Sequence, residues 1–284
     1  EISPRDWSSD VCSSDLANDY FEKGKTVVGR WRGRACAGFG VVEGEEVGAR
    51  EFMLLQDNRH AGTGARLTRR KNGSRVAKPG RDAKDGLVAN RRRFYDFTLS
   101  APKSFSVLAV TGGASRAREW HKAAVEATLA EMELFAARQD HAPGSVDGVE
   151  VTGRFCAAVF THDANRALEP QLHDHVVVFN ATPGADGRNY ALESSEFFSR
   201  CGYLTAVYRN ELARRAIESG FDVEFDRWGA PQIKGMGELV EAFSTRTKTI
   251  ERLIDMCEEA TGMELSKSER KRLSLASRGL DWDR

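Results

Sequence analysis

Three histidines, His162, His173 and His175, have the residue type and the spacing best suited to chemistry in this chain. Residues i and i+2 of a β-strand project from the same face, so His173 and His175 would point together while Asp174 points away. Three neutral imidazoles can bind one divalent ion and leave coordination positions open for water or a substrate oxygen. The spacing therefore predicts a metal site that acts on a substrate. An isolated HxH sequence can also be two partly exposed polar residues of a strand, and it is His162 that favours the metal.

Two strands must position these histidines. The apolar runs from Phe155 to His162 and from Leu172 to Phe179 are typical of strands, and Asp163, Asn165 and Pro170 between them predict a connecting loop. Folded as an antiparallel hairpin, the two runs would bring the first histidine close to the other two.

The remaining pattern predicts an α+β fold, an antiparallel β-sheet with helices packed mainly on one face. Residues 95–100 (YDFTLS) alternate like a strand, which places Asp96 and Thr98 on one face. Three segments have helical periodicity: Ser115–Gln139, a segment capped by Ser195 that stops at Gly220, and Gly237–Glu259.

Charge is balanced over the whole chain but concentrated locally. The 284 residues include 42 basic and 42 acidic side chains, whereas residues 66–93 contain eleven basic residues and two acidic ones. Such a polarised surface suits phosphate backbones, and we expect Arg69, Arg70 and Lys71 to contact nucleic acid. For this stretch taken alone, the alternative is a solvated loop.

The cysteine spacing and the hydropathy indicate the cellular compartment of the protein. The five cysteines are scattered without the spacing of a zinc or redox motif, which favours a reducing compartment: Cys12, Cys36, Cys156, Cys201 and Cys257. Neither a signal peptide nor an apolar run long enough to cross a membrane is present. We therefore expect a cytoplasmic protein without membrane insertion.

Four features match one family pattern: residues 95–104 (YDFTLSAPKS), residues 162–175 (HDANRALEPQLHDH), the basic region, and a tyrosine near the start. Together they resemble the relaxase domain of the TrwC/TraI type, the MobF class of conjugative relaxases within the HUH endonucleases. The resemblance runs from about Ala17 to about Ile250. It implies an HUH relaxase-like palm, an α+β fold.

The resemblance also implies a reaction. A tyrosine hydroxyl attacks a scissile phosphate of single-stranded DNA at a plasmid origin of transfer, leaving a 5′-phosphotyrosine and a free 3′-hydroxyl, and the reverse step rejoins the strand. The three histidines hold a divalent cation, with magnesium or manganese in turnover and zinc or nickel also accepted. Asp96 orients a ligating histidine or takes the tyrosine proton, and Lys103 belongs to the DNA-binding set. The implied partners are origin DNA with a hairpin, relaxosome accessory proteins and a type IV coupling protein.

The start of the chain departs from the family. Residues 1–16 (EISPRDWSSDVCSSDL) resemble the translation of a sequencing adapter, so we expect a non-native segment there and a relaxase domain over residues 17–284, with a C-terminal helical part at 237–284. The family carries two tyrosine clusters, of which the first usually cleaves. Tyr20 resembles the second cluster, and no tyrosine stands where the first would fall. Tyr20 is thus the candidate nucleophile, or else an aromatic anchor, and we expect weak nicking.

Two other functions stay open at this point. One is a three-histidine metal hydrolase acting on a small substrate, and the other is an origin-hairpin binding domain that no longer cuts. A covalent protein–DNA adduct would separate both from a relaxase. The sequence contains no GxxxxGK[ST] phosphate loop, so we expect no ATPase activity.

Overall fold

A computed structural model of the chain describes residues 2–4, 28–76, 87–89, 91–111, 114–140, 148–165 and 168–276. Its centre is a five-stranded sheet in which every neighbouring pair of strands is antiparallel. The strands follow the order β1 (Ile2–Pro4), β5 (Phe94–Ser100), β9 (Pro170–Phe179), β8 (Ala157–Ala164) and β2 (Gly29–Arg32).

The sheet has two different faces because side chains alternate along its strands. One face packs against three helices, α3 (Lys103–Leu108), α4 (Ala114–Leu134) and α6 (Cys201–Glu218), and forms the larger core. The opposite face packs a smaller core against α1 (Cys36–Phe39) and α2 (Ala49–Gln56). The longest helices thus cover one face, and the predicted α+β class is confirmed.

Burial of aromatic side chains holds the layers together. Phe97 of β5 and Phe105 of α3 are buried in the larger core, where each contributes about 1.5–3 kcal/mol relative to an exposed position. Trp31 and Phe179 are buried in the smaller one.

The other elements are short strands and further helices. The paired strands are β3 (Ser74–Val76) with β4 (Leu87–Ala89), β6 (Ala137–Gln139) with β7 (Val149–Val151), β10 (Thr182–Pro183) with β11 (Asn189–Tyr190), and β12 (Val223–Phe225) with β13 (Pro231–Ile233). The helices are α5 (Ser195–Ser199), α7 (Gly237–Ala242), α8 (Thr245–Thr261) and α9 (Lys267–Ala276). Within the described ranges, every helix is too short or too polar to cross a membrane.

The predicted strands of the histidine hairpin are confirmed to within two residues at each end. Their register pairs His162 with His173 and Phe160 with His175, and it shifts between His162 and Ala164, where the hairpin loop begins. The stop at Gly220 is also confirmed, since this glycine adopts a left-handed φ of 85° just after α6.

The helix predictions were wrong in three details. Helix α4 ends at Leu134 and not at Gln139, because residues 137–139 leave the helix to pair with β7. The segment after Ser195 is two helices, α5 and α6, separated at Arg200. The segment after Gly237 is also two helices, because a new one begins at Thr245, whose N–H donates to the distant Glu169.

The start of the chain enters the sheet as far as it is described. The backbone of Ile2–Pro4 pairs with β5, from Ile2 opposite Leu99 to Pro4 opposite Phe97. The non-native origin of residues 1–16 stays a prediction, and most of that segment lies outside the described residues.

Candidate active site

The three predicted histidines meet at the end of one sheet face. His162 projects from β8, and His173 and His175 project from β9, in the same row as the buried Val177 and Phe179 of the smaller core. Their ring centroids lie 5.1 Å (His162 to His173), 5.4 Å (His162 to His175) and 5.3 Å (His173 to His175) apart. The structure thus brings the three side chains together, and their role as metal ligands stays a prediction.

Hydrogen bonds on the inner nitrogens set the tautomers of two rings. Nδ1 of His175 lies 3.1 Å from Oδ1 and 3.2 Å from Oδ2 of the buried Asp96, and Nδ1 of His173 lies 2.8 Å from the carbonyl oxygen of Gln171. Both acceptors require a proton on Nδ1, so Nε2 keeps its lone pair and is the atom available for a metal.

Burial favours the uncharged form of His162 and His173. The pKa of His162 falls from 6.5 to about 4, first because burial disfavours the charged ring and then because His173 and His175 would repel a second charge. The pKa of His173 is also lowered, again mainly by burial. Neutral imidazoles are the form that binds metal ions, so these rings do not have to lose a proton at neutral pH.

The cluster fits a divalent ion by donor type and by spacing. A metal–nitrogen bond of about 2.0–2.1 Å puts the centre of a ligating imidazole roughly 3.2 Å from the ion, so rings at octahedral to tetrahedral angles lie roughly 4.5–5.2 Å apart. The observed separations are close to this range. Among the described residues, no three His, Cys, Asp or Glu side chains are arranged to hold a metal ion in their present conformations. The rings of His162 and His173 are stacked at 19°, so they must turn about their side-chain torsions to share an ion.

The comparison with known families shows to which family the chain belongs. The model of the TrwC relaxase family matches residues 7–279 of the chain. The chain belongs to the TrwC relaxase family.

Named relatives agree with that membership. The multifunctional conjugation protein TraI of Escherichia coli strain K12 is 32% identical over 235 residues, which are 78% of this chain and 12% of TraI. A metal-bound structure of the conjugative relaxase TrwC in complex with oriT DNA is 27% identical with a TM-score of 0.76, over 95% of this chain and 89% of that chain. A structure of TrwC with a 27-mer DNA comprising the recognition hairpin and the cleavage site is 26% identical with a TM-score of 0.75, over 95% and 88%.

The predicted family, fold class and class of enzyme are thereby confirmed. The chain is a relaxase domain with the α+β fold of TrwC. It spans 12% of the length of the TraI protein it matches.

The side chains of the basic region in this relaxase differ in their exposure to solvent. Arg69, Arg70 and Lys71 are exposed, as a nucleic-acid contact requires. Arg91 instead donates to Oγ1 of Thr68 and, at 2.6 Å, to the carbonyl oxygen of Asn180, so it holds the region against the sheet. The basic residues between 77 and 86 lie outside the described residues.

Lys103, the fourth predicted DNA contact, has a partner inside the protein. Its ammonium donates to the carbonyl oxygen of Pro170 at 2.9 Å and lies 3.9 Å from Oε2 of Glu169. Both partners belong to the end of the hairpin loop at the start of β9. A DNA contact by Lys103 stays a prediction, whereas its bonds to that loop are part of the fold.

The tyrosines separate into packing residues and one candidate nucleophile. Tyr95 and Tyr208 are buried, and the hydroxyls of Tyr190 and Tyr203 donate to Asp186 and Glu131, so the four have packing or structural roles. Tyr20 lies outside the described residues, and its role as nucleophile stays a prediction.

Sequence reasoning missed two polar groups next to the site. His121 of α4 and Tyr208 of α6 approach Asp174 from the helical side of the sheet. Glu169 joins the hairpin loop to the first turn of α8. No local signal could have revealed either group, because the partners are 53 to 87 residues apart in one case and 76 in the other.

Proposed function

We propose that this relaxase domain nicks and rejoins one strand of DNA at a plasmid origin of transfer, with a tyrosine as nucleophile and a metal held by His162, His173 and His175. The observation that carries the proposal is the cluster of three imidazoles, 5.1–5.4 Å apart, with the carboxylate of Asp96 behind His175. A hydrolase that acts on a small molecule could share such a cluster, but membership of the relaxase family does not support that alternative.

The residues of the chain prepare the site in the absence of substrate. Asp96 accepts the Nδ1 proton of His175, and the carbonyl of Gln171 accepts that of His173, so both rings present Nε2 in a fixed tautomer. A divalent ion bound there supplies positive charge beside the non-bridging oxygens of the scissile phosphate. The acidic side chain of Asp96 thus acts through His175, because it fixes the tautomer and the orientation of that ring.

The proposed reaction conserves the number of phosphoester bonds. The tyrosine hydroxyl gives up its proton as its oxygen bonds to phosphorus, the bond between phosphorus and the 3′-oxygen breaks, and the 3′-oxygen takes up one proton to become a free 3′-hydroxyl, so no net proton is gained or lost. Because one phosphoester replaces another, rejoining needs no external energy source. Tyr20 is the proposed nucleophile of this chain, and the attacking and leaving oxygens must lie in line at the phosphate.

The proposed metal follows from the ligands. Imidazole nitrogens suit zinc, copper and nickel, and those ions generally bind such sites more tightly than manganese does. We propose that purification selects one of the tighter ions and that magnesium or manganese serves in turnover. The related TrwC structure is described as metal-bound, and the ion in this chain is part of the proposal.

The proposed DNA partner is origin DNA with a hairpin next to the nick site. The exposed Arg69, Arg70 and Lys71 support it, since phosphate contacts supply most of the affinity of such complexes. The TrwC structure with a recognition hairpin and a cleavage site is consistent with a similar partner. Relaxosome accessory proteins and a type IV coupling protein complete the proposed set.

A covalent adduct tests the nucleophile. An oligonucleotide carrying the origin hairpin and nick site, incubated with Mn²⁺ and the chain, is run on a denaturing gel, where only a phosphotyrosine bond keeps DNA on protein. We expect a weak adduct that disappears in Tyr20→Phe. The control Tyr203→Phe also removes an exposed hydroxyl, but one that is bonded to Glu131 on the helical side, and it should not change the adduct.

The metal site is tested in the same assay. His173→Ala should remove the adduct and weaken metal binding while the thermal unfolding temperature stays near that of the wild type, because the side chain is only half-buried. DNA binding without any adduct, even after a tyrosine pair is restored upstream of residue 17, would contradict the proposed nicking and leave an origin-binding domain.

A further inference from the structure

A chain of three buried polar side chains lies behind the metal site, on the opposite face of the sheet. Asp174 projects from β9 between His173 and His175, and its Oδ1 lies 2.9 Å from Nε2 of His121 on α4. Nδ1 of the same ring lies 2.6 Å from the hydroxyl oxygen of Tyr208 on α6. The three side chains are 5%, 2% and 0% exposed, in the order Asp174, His121, Tyr208.

The hydrogen-bond partners fix the direction of this chain. A carboxylate only accepts, so Nε2 of His121 carries the proton and donates it to Asp174. Nδ1 then accepts from the hydroxyl of Tyr208. Burial, with the nearby charge of Asp174, holds the pKa of Tyr208 well above its usual value, so this hydroxyl keeps its proton and donates. Each of the three groups is satisfied in this arrangement.

Burying three polar side chains in a core costs free energy of folding. Their presence therefore points to a geometric role. A buried carboxylate needs hydrogen bonds to offset the loss of water, and a well-packed apolar side chain of similar volume would avoid that cost. Around His121 and Tyr208 the two helices contribute the buried Trp120, Ala124 and Leu212, whereas Asp174 also lines a small cavity with Lys122 and Thr161. A valine at position 174 would continue the apolar row of Leu172 and Val176 on this face.

The position of Asp174 between the two histidines shows what this geometric role is. Strand alternation sends His173 and His175 to the metal face and Asp174 to the helical face, so the residue that separates the two imidazoles is itself held by α4 and α6. On the metal face, a second hydrogen bond joins Asp96 to the ring of His175. The segment that carries the two imidazoles is thus held by hydrogen bonds on both faces of the sheet.

We propose that Asp174, His121 and Tyr208 form a positioning chain that sets the placement of His173 and His175 for the metal, so that the helices α4 and α6 control the geometry of the site. This role rests on the proposed function, since it requires that the histidines bind an ion. The three side chains touch neither metal nor DNA and act through the strand. Sites of this kind need their ligands held to within about half an ångström, which a loose strand cannot provide.

Binding of Cu²⁺ to the metal-free chain tests the proposal, with the paramagnetic resonance spectrum of the bound copper as a second readout. Tyr208→Phe keeps the ring and removes only the hydroxyl, and His121→Phe breaks both hydrogen bonds. We expect Cu²⁺ affinity to fall about fivefold in the first and about tenfold or more in the second. The copper hyperfine splitting should change in both, because the angles between the imidazoles change.

The matched control is Thr128→Val on the same helix. Thr128 is fully buried and its hydroxyl donates to the carbonyl of Ala124, so the change removes a buried hydrogen bond at nearly constant volume and leaves the hydrogen bonds of His121 in place. Its Cu²⁺ affinity and spectrum should match those of the wild type. Asp174→Asn, which keeps an acceptor oxygen, should retain more affinity than Asp174→Ala.

The outcomes separate the two proposals. If the wild type binds Cu²⁺ through His173 but Tyr208→Phe gives the same affinity and the same spectrum, the positioning chain is overturned and the metal site stands. If Thr128→Val lowers the affinity as much as Tyr208→Phe, the effect is general destabilisation, and the positioning chain is again overturned. If the wild type does not bind Cu²⁺, or binds it equally well in His173→Ala, the proposed metal site itself fails. If His121→Phe does not fold, the Cu²⁺ affinity and spectrum of Tyr208→Phe alone test the positioning chain.

Discussion

At the scale of the residue, the low pKa of His162 makes the stability of the metal-free protein depend on pH. The folded protein holds this pKa near 4, below the ordinary 6.5, because of burial and of the two neighbouring imidazoles. Between these two values the unfolded chain binds the proton more strongly, so stability rises with pH there. The contribution of His162 is complete above about 6.5 and is lost as pH falls towards about 4.

His162→Gln should therefore flatten the pH dependence of stability. Glutamine has a similar reach and carries no titratable proton, so the variant should lose less stability than the wild type between pH 6.5 and pH 4. Urea unfolding in the presence of a chelator, followed by circular dichroism at several pH values, measures the difference. Equal slopes for the two proteins would contradict the assignment of this pKa.

At the scale of the element, Glu169 joins the hairpin loop to helix α8. Its Oε1 accepts the N–H of Thr245 at 2.7 Å and also bonds the hydroxyl of that residue, and its Oε2 accepts from Asn165. Burial opposes the ionisation of Glu169, but hydrogen bonds from Thr245 and Asn165 outweigh it and lower its pKa. The loop between the metal-binding strands and the start of α8 are thus held by one carboxylate.

Glu169→Ala should loosen both elements. Hydrogen bonds to a charged group contribute about 1.5–3 kcal/mol, so we expect a stability loss of that order and faster hydrogen exchange at residues 245–249. Glu193→Ala is the matched control, because Glu193 accepts from the N–H and hydroxyl of Ser195 at another helix start. Unchanged exchange at 245–249 in Glu169→Ala would show that α8 is held by other contacts.

At the scale of the whole molecule, a neutral chain with a basic region should bind DNA in a salt-dependent way. The affinity for a single-stranded origin oligonucleotide should fall steeply with salt, with a logarithmic slope of roughly −0.7 for each phosphate neutralised. Replacing Arg69, Arg70 and Lys71 together by glutamine should reduce that slope by about 2. Fluorescence anisotropy at several salt concentrations measures it.

The control removes the same charge elsewhere. Arg214, Arg215 and Lys234 are exposed, and the first two already pair with Glu211 on α6. Their replacement by glutamine should leave the slope nearly unchanged. An equal effect of the two triple variants would mean that net charge, and not the basic region, governs binding.

The sequence by itself determined the parts of this relaxase that depend on local periodicity. A period of two placed His173 and His175 on one face and Asp174 on the other, and turn residues placed the hairpin loop between the strands. The same reasoning put Asp96 and Thr98 on one face of their strand. These predictions hold because the alternation of a strand is a property of its backbone.

Only the tertiary structure decided which distant groups meet. Asp96 reaches His175 because β5 pairs with β9 in one register, and a shift by one residue would have turned its carboxylate to the other face. No pattern along the chain indicated that Lys103 bonds the hairpin loop or that Glu169 accepts a hydrogen bond from the first residue of α8. Nor did any pattern indicate that His121 links Asp174 to Tyr208. The partner of a polar side chain depends on which elements pack beside it, and packing joins residues without regard to their separation along the chain.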